Sequence, residues 1–238
     1  MAKKSKNSVA AKRQYDKSAL YGPEDAVGLV RSMAFAKFDE SIDVVFTLGI
    51  DARKADQLVR GTVSLPHGTG KEVRVVAFVG GEKLAEAEEA GADIVGGKEL
   101  AEEIAAGREL DFDIAIAAPD MMPHVGKLGS ILGPRGLMPN PKSGTVTPDV
   151  GKAISEFKAG RVEYRNDRYG NVHVPIGKVS FESEQLTANF GAVADEIIRA
   201  RPAAAKGRFV RKVTLSSTMG PGVNIDPSKV EDLVKSLQ

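Results

Sequence analysis

The chain has no cysteine among its 238 residues, so neither a disulfide framework nor a thiolate metal site is available. This absence fits a reducing compartment without establishing one. Long apolar runs are also lacking: residues 75–79 and 114–118 form the longest and are far too short to cross a bilayer. The N-terminus has no apolar core of the signal-peptide type. We therefore expect a soluble, cytoplasmic protein with no membrane partner.

Sequence signatures of catalysis are missing as well. There is no GxGxxG or GxSxG motif. Lys71 and Lys127 each follow a glycine, but Leu65 and Met121 stand where a Walker loop requires its first glycine. The histidines lie in different segments without metal-ligand spacing, at His67, His124 and His173. We therefore expect no enzymatic activity, no cofactor and no metal. A nucleotide-dependent enzyme is the alternative, and nucleotide binding would reveal it.

A net charge of +1 conceals an uneven distribution of charge along the chain. Residues 1–68 carry 11 Lys and Arg against 8 Asp and Glu, residues 69–160 carry 10 against 15, and residues 161–238 carry 12 against 9. Two basic outer segments thus flank an acidic central one, which hints at an anionic partner for the outer pair. Chance unevenness of surface charge explains the same counts equally well.

One segment, residues 125–147, combines turn-forming residues with charge of one sign. It reads VGKLGSILGPRGLMPNPKSGTVT and holds five glycines and three prolines, so we expect mostly loop rather than one long helix or strand. Its charged residues are all basic, at Lys127, Arg135 and Lys142. The pattern predicts an ordered loop that meets an anion such as a phosphate backbone. A flexible linker is the alternative, disfavoured by the interleaved large apolar residues.

The outer segments show the alternation typical of half-buried antiparallel strands. After Gly160, alternation on both sides of a turn-rich stretch at 166–170 predicts a hairpin. The first twenty residues form a basic arm with weak periodicity, expected to be a helix or a tail. Further strands are expected over 42–50, 62–65 and 209–218, and helices from Pro23 onward and over 184–201.

The central segment has a different pattern, in which buried strands alternate with helices. This order requires a parallel sheet covered by helices, since right-handed crossovers connect such strands. The basic segment follows the third strand at its carboxyl end, where ligands usually meet open α/β sheets. The expected strands cover 73–79, 94–95 and 112–118, and the expected helices 82–90, 99–106 and 149–159.

The economical architecture therefore has two domains. Residues 1–68 and 161–238 would form one discontinuous α+β domain with an antiparallel sheet, and residues 69–160 an inserted α/β domain. Two separate outer domains would each be small and thinly cored. Glycines at the two crossings, 66–70 and 158–160, favour a hinge between the domains.

Polar and aromatic residues cluster at the ends of two outer strands. Lys37 and Phe38 precede one strand, and the sequence Ser-Ser-Thr-Met-Gly at 216–220 ends another. Hydroxyls, backbone N–H groups exposed at glycine and an aromatic face suit recognition of RNA sugar and phosphate. An ordinary core residue is the alternative for Phe38, and an ordinary edge strand is the alternative for the serine-threonine run.

Five longer motifs carry a family resemblance: RGTVSLPHGTGK at 60–71, EAGADIVGG at 89–97, GKLGSILGPRGLMPNPKSGTV at 126–146, AGRVEYRND at 159–167 and STMGPG at 217–222. Through them the chain resembles the family of bacterial large-subunit ribosomal protein L-one. The resemblance covers nearly everything from about Pro23 to Gly222. It implies a discontinuous α+β domain of the split β-α-β type and a Rossmann-like inserted α/β domain.

The resemblance also implies a function and a set of partners. As a member of this family, the protein would bind the stalk region of 23S rRNA in the 50S subunit, near the E site. It would also assist release of deacylated tRNA and repress translation of its own operon mRNA. The free protein would be a monomer. The implied RNA-binding residues are Lys37, Phe38, Arg165, His173, Lys178, Ser216, Thr218, Met219 and Gly220, with a second contact to the same RNA or to tRNA from Lys127, Arg135 and Lys142.

Overall fold

A computed structural model describes residues 6–81 and 83–236 and divides the chain into two compact units. The outer unit runs up to Gly70 and resumes at Val162, and the inner unit spans Lys71–Arg161. The bounds expected from the sequence are residues 1–68 and 161–238 for the outer domain and residues 69–160 for the inserted domain. Lys3 and Lys4 of the basic arm and Glu82, the expected start of a helix, lie outside the described residues.

Helices and strands are interspersed along the whole described chain, which confirms the mixed α/β fold class. In chain order the elements are α1 (Lys6–Lys12), α2 (Pro23–Ser32), β1 (Ser41–Leu48), β2 (Arg60–Ser64), β3 (Val75–Phe78), α3 (Lys83–Glu89), β4 (Ile94–Gly96), α4 (Lys98–Ala105), β5 (Ile114–Ala117), α5 (Met122–Val125), α6 (Gly129–Leu132), α7 (Val150–Lys158), β6 (Arg161–Arg165), β7 (Asn171–Lys178), α8 (Ser183–Arg199), β8 (Val210–Ser217), β9 (Val223–Ile225) and α9 (Pro227–Ser236). Single turns of 3₁₀-helix occur at Ala55–Gln57, Pro119–Met121, Gly126–Leu128 and Pro141–Ser143.

The outer unit is built on a four-stranded antiparallel sheet with the order β7-β1-β8-β9. Every second residue of β1 is buried, because successive side chains of a strand point to opposite faces. The buried face packs against α2, α8 and α9. The other face carries the partly exposed residues of β1.

Helix α8 supplies most of the helical side of this core. It begins with a capping box in which Glu182 and Gln185 satisfy backbone N–H groups at the helix start. Its apolar residues recur every three or four positions, so they form one stripe toward the sheet. Phe190 of this stripe stacks on Phe46 of β1 with ring centroids 6.2 Å apart.

The predicted hairpin after Gly160 is wrong. Strand β6 pairs with β2 in a separate two-stranded sheet, whereas β7 pairs with β1, and only one antiparallel bridge, Asn166 to Val172, joins the two segments. The reason lies in Asn166, whose side-chain oxygen accepts the Val59 N–H at 2.9 Å while its own N–H donates to the Val59 carbonyl at 3.0 Å. Alternation identified both strands, but alternation carries no information about partners.

The inner unit is a parallel sheet with the order β4-β3-β5, covered on both faces. Val76 and Phe78 face α4 and the segment after β5, whereas Val75 and Ala77 face α3 and α7. All four residues of β3 are buried, as expected for a strand with helices on both sides. This arrangement matches the predicted layers, although the strands are shorter than expected.

The basic segment contains more helix than predicted. Gly126, Gly129 and Gly133 adopt right-handed helical angles, so the glycines extend short helical turns instead of interrupting them. Leu128 and Leu132 are buried against the same core as α4. Their spacing of four residues is a helical signal that the glycine and proline content concealed. The segment then returns to the sheet, where Val146 forms a parallel bridge with Ala117.

Candidate nucleic-acid interface

Three strand ends of the outer unit meet at one corner of the four-stranded sheet. Antiparallel pairing places the start of β1 beside the ends of both neighbours, since Ser41 pairs with Lys178 and Ile42 pairs with Ser217. We name residues 35–41, 178–180 and 216–220 the strand-end corner. Asp39 closes this corner by accepting the Ser180 N–H at 3.1 Å and its hydroxyl at 2.7 Å.

Glu40 lies at the centre of the strand-end corner with 1% of its surface exposed. One carboxylate oxygen accepts the backbone N–H groups of Phe35 at 3.0 Å and Ala36 at 2.8 Å. The other oxygen accepts the Met219 N–H at 2.9 Å. Burial raises the pKa of this carboxyl, but the N–H donors and the Ser217 hydroxyl together outweigh it and hold the pKa below its ordinary value. The ionised side chain therefore joins two segments that are distant in sequence.

The hydroxyls of the strand-end corner are bonded to the chain itself. Thr218 donates its N–H to the Ser41 carbonyl at 3.0 Å, and its hydroxyl accepts the Ser41 N–H at 3.0 Å. Lys178 donates from Nζ to the Ser41 hydroxyl at 2.9 Å, and Gly220 donates its N–H to the Ser217 hydroxyl at 3.1 Å. These bonds fix the backbone of residues 217–220 in one conformation.

Two large apolar side chains project from this fixed backbone. Phe38 is 57% exposed and Met219 is 55% exposed, and Lys37 is exposed beside them. The alternative that Phe38 is a core residue is therefore wrong. Exposed apolar groups usually mark a binding surface when they are grouped, and an aromatic ring next to a cation suits a stacked base and its phosphate.

Asp43 lies on β1 two residues after Ser41, on the opposite side of the strand from its buried residues. It is paired with Ser216 on β8 and with Pro175 on β7. Burial raises the pKa of its carboxyl, and the positive charges of His173 and Lys178 partly offset that rise. The sheet surface next to the corner thus carries acceptors as well as cations.

Arg165 and His173 lie apart from the strand-end corner. His173 is exposed in the middle of β7, opposite Val45, with Nε2 3.8 Å from Oδ2 of Asp167. Arg165 is exposed and precedes Asn166, which forms a bridge with Val172 near the start of β7. Lys178 lies at the other end of β7. The residues that the structure groups at the corner are Lys37, Phe38, Lys178, Ser216, Thr218, Met219 and Gly220.

The inner unit presents the three cations of the basic segment on its surface. Lys127 lies on the 3₁₀ turn after α5, Arg135 follows α6, and Lys142 lies on the turn at Pro141–Ser143; all three are exposed. Asn140 holds the last turn, because its side-chain oxygen accepts the Lys142 N–H at 2.8 Å. Gly144 ends that turn with φ 66°, a conformation that favours glycine. The segment is an ordered structure with buried leucines, which excludes a linker.

Within residues 6–81 and 83–236, no group of His, Asp and Glu side chains is placed to hold a metal ion. None of the helices in that part of the chain has the length and apolar content needed to span a membrane.

The sequence profile of the ribosomal protein L1p/L10e family matches residues 30–221, which includes the whole strand-end corner and the whole inner unit. The chain belongs to this family. A relative from Cutibacterium acnes named large ribosomal subunit protein uL1 is 58% identical over 230 residues, covering 97% of this chain and 99% of the relative. Proteins of the same name from Streptomyces virginiae and Thermobifida fusca are 54% and 53% identical and cover 98% of this chain and 96% and 99% of their own.

Family membership confirms the resemblance and the expectation that the chain is not an enzyme, because this is a structural, non-enzymatic family of ribosomal proteins. It does not by itself assign a role to any residue. The geometry adds Glu40, which the sequence analysis missed. Glu40 and Met219 are 179 positions apart, and nothing in the local sequence around Glu40 signals their contact.

Proposed function

We propose that the chain is a component of the large ribosomal subunit that binds the stalk region of 23S rRNA through the strand-end corner. The observation that carries this proposal is the pairing of exposed Phe38 and Met219 with a backbone fixed by buried Glu40. A rigid platform loses little conformational entropy on binding, so its exposed groups can contribute fully to affinity. The relatives are large ribosomal subunit proteins by name, which supports placement of this chain in the large subunit.

The finer parts of the function rest on the family resemblance. The chain would form the mobile stalk near the E site of the 50S subunit and assist release of deacylated tRNA, with Lys127, Arg135 and Lys142 as a second contact to the same RNA or to tRNA. It would also repress translation by binding its own operon mRNA at the same corner. The free protein would be a cytoplasmic monomer. If rRNA and mRNA share the corner, each RNA must displace the other in a competition titration.

A titration with the ribosomal stalk RNA tests the main proposal. Phe38→Ala should weaken binding about tenfold or more, since stacking a base on an aromatic ring is worth roughly 1–3 kcal/mol. Met219→Ala should also weaken binding, because it removes an exposed apolar contact. Leu20→Ala is the matched control, because Leu20 is 57% exposed outside the corner. A composition-matched RNA duplex serves as the control ligand.

The titration has clear opposing outcomes. Tight binding to the stalk RNA that persists as salt rises supports shape-specific recognition by the corner. Equal and salt-sensitive binding to both RNAs would leave only a generic basic protein. Wild-type affinity in both corner variants would remove the corner from the interface.

A further inference from the structure

We infer that a basic cleft at the opposite end of the four-stranded sheet is a second phosphate-binding surface for RNA. The inference rests on the proposed RNA-binding function and extends it to residues outside the strand-end corner. The cleft has a volume of about 550 Å³ and is formed where β1 ends and β8 begins. Its walls include Asp51, Lys54, Asp56, Lys206 and Arg211.

The cleft depends on a close approach of two backbones at its base. Gly49 donates its N–H to the Phe209 carbonyl at 2.6 Å, and a Cβ at Gly49 would lie 2.2 Å from the Arg208 carbonyl oxygen. Only glycine permits this approach without displacing the backbone. The strands that carry the cleft are therefore held together below it, and the cleft is a fixed feature of the sheet end.

Three cations converge on the cleft without carboxylate partners. Lys54, Lys206 and Arg211 are exposed, and no ion pair involves any of them in the described part of the chain. The three cations outnumber the two acids on the wall, Asp51 and Asp56, so the cleft carries a net positive charge. The positive charges on this concave surface repel each other, and a bound anion would reduce that repulsion.

The neighbouring turn favours RNA over a small free anion. Leu48 donates its N–H to the Gly170 carbonyl at 2.8 Å, which places the turn at 167–170 at this same sheet end. Asp167 fixes that turn by accepting the Tyr169 and Asn171 N–H groups at 2.8 Å. Tyr169 itself is 79% exposed. An exposed ring at the same end of the sheet as exposed cations suits an RNA, which can stack a base on the ring and place phosphates near the cations.

The distance between the cleft and the strand-end corner sets how long an RNA must be to contact both. Strand β1 has 8 residues and runs from the strand-end corner to the cleft. At a rise of roughly 3.3 Å per residue the two surfaces lie about 25 Å apart. One folded RNA can reach both ends, and so the cleft adds phosphate contacts to the recognition made at the corner.

The test compares the salt dependence of stalk-RNA binding in two triple variants of the full chain. The cleft variant is Lys54→Ala, Lys206→Ala, Arg211→Ala. The control is Arg199→Ala, Lys229→Ala, Lys235→Ala, which removes the same charge from α8 and α9 on the helical side of the sheet. The cleft variant should bind more weakly and show a slope of log K against log salt that is shallower by roughly two to three units.

A single substitution provides a gain-of-function check that misfolding cannot imitate. Asp56→Asn removes a carboxylate from the cleft wall and should tighten RNA binding by several fold. Equal slopes for the cleft variant, the control and the wild type, with Met219→Ala still impaired, would overturn the cleft and leave the proposed function intact. Absence of stalk-RNA binding by the wild type would overturn both.

Titrations with free ligands distinguish an RNA backbone from free phosphate or a free nucleotide as the occupant of the cleft. Inorganic phosphate and a mononucleotide are titrated into the wild type and the cleft variant at the same salt concentration. Weak or absent binding of both supports an RNA backbone as the occupant. Binding of free nucleotide as tightly as of RNA, lost in the cleft variant, would overturn the RNA assignment.

Discussion

The carboxylate of Glu40 accepts the backbone N–H of Met219 at 2.9 Å, across 179 positions of sequence. This bond joins the loop before β1 to the loop after β8. Through Glu40 it ties the backbone of Met219 to the backbone of Phe35 and Ala36, in the loop that also bears Phe38. The strand-end corner is therefore one structure, and changes at its centre should affect both its stability and its binding.

Glu40→Ala should destabilise the outer unit by about 2–3 kcal/mol, because it leaves the N–H groups of Phe35, Ala36 and Met219 without their buried acceptor. Glu40→Gln keeps one acceptor oxygen and should cost less. Urea denaturation monitored by circular dichroism measures both. Equal stability of Glu40→Ala and the wild type would show that these bonds are not important in solution.

The same carboxyl predicts a pH dependence. Its pKa is lowered in the folded state, so it adds stability above the unfolded pKa of about 4.3, and this contribution is lost as pH falls through the folded value. The difference in Tm between the wild type and Glu40→Gln should therefore be largest near neutral pH and shrink below about pH 4. Asp93, Asp113 and Asp167 have lowered pKa values too, but they are common to both proteins and cancel in the difference. A difference that stays constant down to pH 2 would contradict the assignment.

Gly220→Ala should disturb the corner through Ser217, while the Glu40 side chain itself is unchanged. A Cβ at this position would lie 2.4 Å from the Ser217 hydroxyl oxygen, which accepts the Gly220 N–H and also bonds to Glu40. Weaker binding of stalk RNA is expected, with a loss of stability of about 1 kcal/mol or more. Gly28→Ala is the control, since a Cβ there meets no atom within 4 Å. Both changes can be followed by the same titration and the same thermal melt.

The cations of the basic segment should contribute through phosphate contacts. Removing Arg135 and Lys142 should make the slope of log K against log salt shallower by roughly 0.7–0.9 for each cation that contacts a phosphate. Lys152→Ala with Lys98→Ala removes the same charge from helices α7 and α4 of the inner unit and serves as the control. An unchanged slope in the Arg135 and Lys142 variant would leave the segment with a structural role only.

Thr218→Val should affect both the stability of the outer unit and RNA binding. Thr218→Val removes a hydroxyl that accepts the Ser41 N–H at 3.0 Å, so a loss of about 1 kcal/mol in stability is expected together with any loss of binding. The RNA affinity of this variant has to be compared with that of the wild type at the same fraction of folded protein. Thermal unfolding under the titration conditions measures that fraction. Met219→Ala avoids this difficulty, because the Met219 side chain is exposed and its N–H is retained.

Local patterns in the amino-acid sequence predicted most of the longer strands and helices and the buried face of several of them. Alternation identified β1 and β7, the continuous apolar run identified β3, and spacing of three and four identified α8, because each pattern reflects which local face meets the core. The order of the elements placed the basic segment after β5, and the motifs named candidate RNA-binding residues one by one. These signals are local, and a single segment is enough to read them.

Tertiary structure decided the pairing of strands, the helical turns of the basic segment, and the role of Glu40. Strand β6 joined β2 rather than β7 because Asn166 bonds to Val59, more than a hundred positions away. Glu40 became a central residue only when antiparallel pairing brought the start of β1 to the end of β8. Such contacts depend on groups far apart in the chain, and no periodicity within one segment can encode them.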